Sequence, residues 1–103
     1  MRFYIQRITR ESFHVLSVGG YMGNEECRKL EAELEELHQQ GHKHVIIDFV
    51  ALTFITSASL SRLSEQVRRF QRAKCELKLA GLPPLAIRLI KVGGLESALK
   101  PAE

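Results

Sequence analysis

Cysteine is scarce. Cys27 and Cys75 are the two in the chain, and they stand alone in different segments. A structural zinc site takes four ligands, usually at paired spacings such as CxxC, and that spacing is absent. Both thiols read as packing residues in a reducing compartment, where a disulfide is not expected. Long apolar runs are also missing, and none approaches the ~20 residues of a membrane span. The opening MRFYIQRITR is broken by charge every few residues, unlike a signal peptide. The expectation is a cytoplasmic protein with no membrane insertion. There is no GxxxxGK[ST] loop for nucleotide phosphates, and no GxGxxG opens a helix after a strand. Gly19-Gly20-Tyr21-Met22-Gly23 resembles a phosphate loop but lacks the lysine, and reads as a turn. Ser57 is flanked by Thr56 and Ala58 rather than by the GxSxG elbow of a hydrolase. These absences leave no catalytic residue and no cofactor to assign, so the chain reads as a non-enzyme.

What remains is the composition of one ordinary domain. The chain has 103 residues, 45% hydrophobic and 26% charged, with a net charge of +3. Such a length buries roughly 65% of the unfolded chain's surface, enough for one core. Arg62, Arg68, Arg69, Arg72, Lys74 and Lys78 cluster in sequence. No aromatic residues are interleaved with them for base stacking, so they read as a solvated helix face and not as a nucleic-acid surface. His38, His42 and His44 lie close together, and an H-x3-H pair on one helix face can hold a metal. Gly41 is predicted to end the helix between them, which breaks that face, so no metal ligands are assigned.

Hydrophobic periodicity orders the chain. Phe3 to Ile8 alternates as an edge strand, and Phe13 to Val18 is its hairpin partner, ended by Gly19-Gly20. Asn24 is a good N-cap, with Glu25 and Glu26 suited to the first turn. Cys27, Leu30, Leu34 and Leu37 give that helix one apolar stripe, with Glu31, Glu33, Glu35 and Glu36 facing mostly water, and Gly41 closes it. His44 to Phe49 is a central strand. A hydroxyl-rich turn follows, and a second helix starts near Ser57 with Leu60, Leu63, Val67 and Phe70 on one face. Glu76 to Ala80 is a fourth strand. Pro84 opens a third helix whose face is Leu85, Leu89 and Val92, with Ile87 and Ile90 beside it; Gly93-Gly94 stops it. Leu95 to Leu99 is a last helical turn, and Pro101 closes the ordered chain. The order β-β-α-β-α-β-α-α implies an α/β domain: a mixed sheet of about four strands with helices packed against it.

The whole chain is organised around Val45 to Leu63, where a buried strand gives way to a hydroxyl-rich helix start. Thr56 or Ser57 is suited to cap that helix. A hydroxyl there sits at the dipole-positive end, where added negative charge is tolerated. Ile46-Ile47-Asp48-Phe49 followed by Phe54-Ile55-Thr56-Ser57-Ala58-Ser59-Leu60 resembles the STAS domain of bacterial anti-sigma factor antagonists. Gly20, Leu79-Ala80-Gly81-Leu82 and the run from Ile87 to Leu95 extend the likeness over nearly all of residues 1–103.

The resemblance implies a binding module controlled by phosphorylation. Its partners are a serine kinase that is also an anti-sigma factor, and a serine phosphatase that resets the cycle; a weak homodimer is also allowed. The unmodified domain binds the kinase and frees the sigma factor. Phosphorylation of the serine matched by Ser57 then ends the complex. The docking face implied is Thr53, Phe54, Thr56, Ser57 and Ala58, with Arg62 on the second helix. Two positions depart from the family pattern: Thr56 stands for the usual Asp and Ser59 for the usual Gly. Thr56 and Ser59 are therefore second-choice acceptors. The alternative within the family is an accessory subunit of a bacterial lipid-transport ATPase that binds its partner without phosphorylation.

Overall fold

The computed structural model describes residues 2–100. Four strands and three helices follow the chain as β1 (Tyr4–Thr9), β2 (His14–Met22), α1 (Asn24–Gln39), β3 (His44–Ile55), α2 (Ser57–Arg72), β4 (Glu76–Ala80) and α3 (Pro84–Val92), with a 3-10 turn at Glu96–Ala98. The sheet order is β1-β2-β3-β4. β1 and β2 form an antiparallel hairpin, and β2–β3 and β3–β4 are parallel. This is the mixed α/β sheet expected from the sequence.

One face of the sheet carries the core. Leu16 and Val18 of β2, Val45, Ile47 and Phe49 of β3, and Leu77 and Leu79 of β4 alternate into it. Cys27, Leu30, Leu34 and Leu37 of α1 and Leu60, Leu63, Val67 and Phe70 of α2 join the same cluster. Both helix stripes are those read from the sequence, because apolar residues at helical spacing have nowhere else to leave water. The opposite sheet face, including Ser17, Ile46, Asp48 and Lys78, is half-buried.

Several boundaries differ from the sequence expectation. β2 does not end at Gly19-Gly20 but continues to Met22, which is fully buried. Gly20 has φ +85, and a Cβ there would lie 2.3 Å from the Arg2 carbonyl oxygen. A glycine in this strand permits a bend and close backbone approach, and does not stop pairing. β3 likewise runs past Phe49 to Ile55, so Thr53 and Phe54 are strand residues and not part of a turn. At two places β3 carries one more residue than β2 in the register, between Ser17 and Gly19 and between Gly20 and Tyr21. At the first, the Asp48 carboxylate accepts a bond from the Val50 N–H at 3.0 Å. These bulges bend β3 without ending it, which alternation alone cannot reveal.

The N-cap of α1 is Gly23, not Asn24, and Glu26 accepts a bond from the Gly23 N–H at 3.0 Å. Of the α1 carboxylates expected in water, Glu31, Glu33 and Glu35 are half-buried and each is held by an arginine. Glu33 and Glu36 grip Arg7 of β1; Glu31 and Glu35 grip Arg62 and Arg69 of α2. The last turn is 3-10 only to Ala98, and Leu99 then bridges Leu79 in parallel. Pro101 lies outside the described residues.

The largest correction concerns α3. Leu85, Leu89 and Val92 do not face the core; they are 66%, 46% and 79% exposed, while Ala86 and Ile90 are buried. With nine residues and apolar groups on two sides, α3 offers no periodic signal that selects one.

Each helix ends in the same paired-bond turn, in which the chain doubles back through a left-handed residue. After α1, Gly41 N–H bonds His38 O and His42 N–H bonds Leu37 O. After α2, Lys74 N–H bonds Gln71 O and Cys75 N–H bonds Phe70 O. Gly41 has φ +85, but the α2 turn places Lys74 at φ 59, a conformation costly for an L-residue with a Cβ. Lys74→Gly relieves that strain but enlarges the unfolded ensemble. The expected net is a gain of about 0.5–1 kcal/mol, read as a rise of a few degrees in the thermal midpoint.

Candidate functional site

β3 delivers the chain to the helix start at the sheet's C-terminal edge. The Thr56 N–H bonds Met22 O at 3.2 Å, fastening the junction to the end of β2. Thr56 is the N-cap of α2, extended at φ −75 and ψ 156. Its Oγ1 accepts from the Ser59 N–H at 3.1 Å and donates to Ser59 Oγ at 2.9 Å. Ser59 is fully buried. The three hydroxyls read from the sequence therefore part company: Thr56 caps, Ser59 is enclosed, and Ser57 is exposed at the first position of the helix.

Ser57 and Ala58 precede the capped N–H, so their own N–H groups belong to the orphan donors of the first turn. No acidic residue lies in that turn. The dipole-positive end is thus without a neutralising side chain of its own, which suits an incoming anion. Ala58 and Thr53 are exposed alongside.

Arg62 lies elsewhere in character. Its Nε donates to Glu31 Oε2 at 3.0 Å, and its Nη2 bonds the other oxygen. This two-pronged bond holds the guanidinium above its ordinary pKa and ties α2 to α1. The side chain is engaged within the fold.

On the other side of Ser57 is a feature the sequence reading missed. Phe54, Thr56, Ser57, Pro83, Leu85 and Leu89 border a groove of about 220 Å³ between the helix start and α3. Phe54 is 53% exposed and stacks on Tyr21, with ring centres 5.5 Å apart and planes within 7°. The signal was present in α3 itself, whose apolar residues fall on both sides of a short helix. One side fills the core, and the other needs a different explanation.

The three histidines that lie close in sequence face different partners. His38 packs its ring on Phe70, His44 meets Glu76 at 3.2 Å, and His42 turns to His14. Among the described residues no three or more of His, Cys, Asp and Glu are placed to share a metal. Cys27 is buried, which pushes its thiol pKa up and leaves it unreactive. Among the described residues no helix is long and apolar enough to cross a membrane.

A family model described as Mlab, STAS domain matches residues 7–101. The chain belongs to the STAS family. Solved structures agree on the fold of this STAS domain. Phosphorylated SpoIIAA, a Bacillus cell fate determinant, superposes with TM-score 0.74 at 17% identity, covering 99% of this chain and 92% of that one. The unphosphorylated form of the anti-sigma factor antagonist SpoIIAA gives 0.73 at 18%, covering 99% and 90%. An anti-sigma factor antagonist from Mycobacterium paratuberculosis gives 0.79 at 19%, covering 98% and 87%. No curated protein is similar enough in sequence to count as a relative.

The division of labour among the three hydroxyls has a direct consequence. Thr56→Val removes the cap and strands both the Ser59 N–H and its hydroxyl, so stability should fall by about 1–2 kcal/mol. Ser57→Ala should stay within about 0.5 kcal/mol of the parent. Urea unfolding of the two variants against the parent measures both.

Proposed function

We propose that this STAS domain is an anti-sigma factor antagonist. It docks on a kinase-type anti-sigma factor to free a sigma factor, and phosphorylation of Ser57 switches it off. The observation that carries the reading is the sorting of hydroxyls at the α2 start. Only Ser57 is exposed, with a groove of exposed apolar side chains beside it. Two structural neighbours are named as anti-sigma factor antagonists, which is consistent with the role.

The switch follows from charge. A phosphate adds about −1.5 to −2 charges and three strong acceptors. On the free domain it meets the positive end of α2 and stays solvated. In a complex it would be pressed between Phe54, Leu85 and Leu89 and the partner, losing water that those apolar groups cannot replace. The chain contributes the substrate hydroxyl and the docking face; ATP and the catalytic groups come with the kinase. A serine phosphatase restores the hydroxyl.

The docking face in this reading is Thr53, Phe54, Thr56, Ser57 and Ala58 extended onto α3 through Leu85 and Leu89. Arg62 contributes by holding α2 to α1. Mixing the purified domain with a kinase-type anti-sigma factor from the same cell and ATP tests the scheme. Mass spectrometry should place one phosphate on Ser57, with none on Thr56 or Ser59. Ser57→Ala should keep the complex, and Ser57→Asp and Leu89→Arg should each weaken it at least tenfold. Equal binding by the Ala and Asp variants would sink the switch.

A second reading keeps the docking face and removes the phosphate: an accessory subunit of a lipid-transport ATPase. The matching family model carries the Mlab description rather than an anti-sigma one, and Thr56 replaces the usual Asp beside the serine. Co-purification with an ATPase subunit, with residues 53–61 unmodified, would favour it. In that case Leu89→Arg breaks the complex and Ser57→Ala leaves it intact.

A further inference from the structure

The groove beside Ser57 is apolar along its length and positive at both ends. At one end lies the α2 start, with no acidic residue in its first turn. At the other, Arg68 reaches across from α2, and its Nη2 donates to the Gly93 carbonyl oxygen at 3.4 Å, just past the end of α3. Between these ends Leu60 borders the groove from α2, and Leu85 and Leu89 from α3. At the helical rise, the stretch from Leu85 to Gly93 spans about 12 Å, a little over two turns. Few carboxylates neutralise this surface. From Phe49 to Leu95 the acidic residues are Glu65 and Glu76. Glu76 meets His44 at the opposite end of the sheet. Glu65 lies 3.6 Å from Arg68 and 3.8 Å from Arg72, so one carboxylate serves two guanidiniums. Arg88 is exposed on α3, one turn from both Leu85 and Val92. Among the described residues no carboxylate pairs with Arg88. Arg62 and Arg69, by contrast, are matched by α1.

The walls decide what kind of occupant fits. Both long walls are helices, whose backbone groups bond internally, so an incoming strand finds no ladder along them. A helix satisfies its own backbone and can lay an apolar stripe into such a cleft. Concavity also separates a protein segment from a lipid surface. A bilayer is flat on this scale and meets the rim at Val92 and Arg88, leaving the floor at Leu60 unfilled. Side chains projecting from a helix reach that floor.

We propose that the groove between the α2 start and α3 receives an acidic amphipathic helix of the partner protein. Its apolar side chains enter between Phe54, Leu85 and Leu89. Its carboxylates meet the α2 start at one end and Arg68 at the other, with Arg88 on the rim. This rests on the reading that the Ser57 face is the docking face, and it adds the charge of what docks there. It also adds a second reason for release. A phosphate on Ser57 takes the positive helix end that a partner carboxylate needs, and the two anions repel. Opposite charge on the two surfaces speeds encounter and selects against basic segments of equal hydrophobicity.

The probe is a synthetic amphipathic helix of about four turns, leucine on one face and glutamate on the other, with a counterpart carrying lysine for every glutamate. Binding to the untagged full chain is followed through amide chemical shifts. The glutamate peptide should give saturable shifts at Phe54, Ser57, Leu85 and Leu89, weakened several-fold when NaCl rises from about 0.05 to about 0.5 M. The lysine peptide should bind at least tenfold more weakly. Arg88→Glu should weaken the glutamate peptide and tighten the lysine one, with an unchanged thermal midpoint, whereas Lys29→Glu on α1 should match the parent. No saturable shift with the glutamate peptide, equal binding of the two peptides, or indifference to Arg88→Glu would each overturn the proposal. So would vesicles of phosphatidylglycerol that bind through these residues when the glutamate peptide does not. The complex with a kinase-type anti-sigma factor separates this inference from the switch. A complex lost in Arg88→Glu but kept in Ser57→Asp upholds the acidic segment and ends the switch. One lost in Ser57→Asp but unmoved by Arg88→Glu and by salt does the reverse.

Discussion

The parallel pairing of β2 with β3 is the constraint on which the rest of the molecule hangs. It begins at His14 and Val45 and continues to Met22 and Ile55, beyond both points where local sequence suggests an end. The two bulges let β3 follow the twisting sheet while carrying more residues than its partner. Because pairing survives to the last residue of β2, Met22 offers its carbonyl to the Thr56 N–H. The position of the α2 start is therefore set by the sheet and not by a free loop. A site placed by paired strands is held more tightly than one on a connecting segment.

At that start, replacement of the usual Asp by Thr has a physical meaning. Either residue can accept the N–H of the first turn. Thr56 does so without adding a negative charge beside Ser57. The cap is kept and the local field is changed: an anion at Ser57 meets the helix dipole without a neighbouring carboxylate to repel it. Ser59 in place of the usual Gly is accommodated because its hydroxyl receives the Thr56 proton and stays inside. The two departures are thus coupled through one hydrogen-bonded pair.

The helices divide electrostatic and apolar work between the flanks of the site. α1 lies between Arg7 on one side and Arg62 and Arg69 on the other, so much of the basic charge that looks free in the sequence is matched inside the fold. These pairs are partly exposed, and each contributes little by itself. α3 is different. Its inner side completes the core through Ala86 and Ile90, and its outer side leaves Leu85, Leu89 and Val92 in solvent. Together with Phe54 this makes an apolar surface next to the exposed Ser57 hydroxyl.

Local patterns in the chain were enough for the element order, the core stripes of α1 and α2, the hairpin, and a helix beginning near Ser57. These rest on short-range rules: periodicity, capping chemistry and glycine turns act within a few residues and are written in them. The sequence also singled out the stretch from Thr53 to Ser59 and offered three of its four hydroxyls, those of Thr56, Ser57 and Ser59, as acceptors. Tertiary structure alone decided which of them reaches solvent, because burial of Ser59 depends on the packing of α2 against the sheet. It decided the length of β2 and β3, since each strand is extended by the other. It turned α3 outward, a choice between two similar apolar sides made by the space left beside β4. And it brought His14 to His42, because only the closed sheet brings the hairpin turn beside the end of α1.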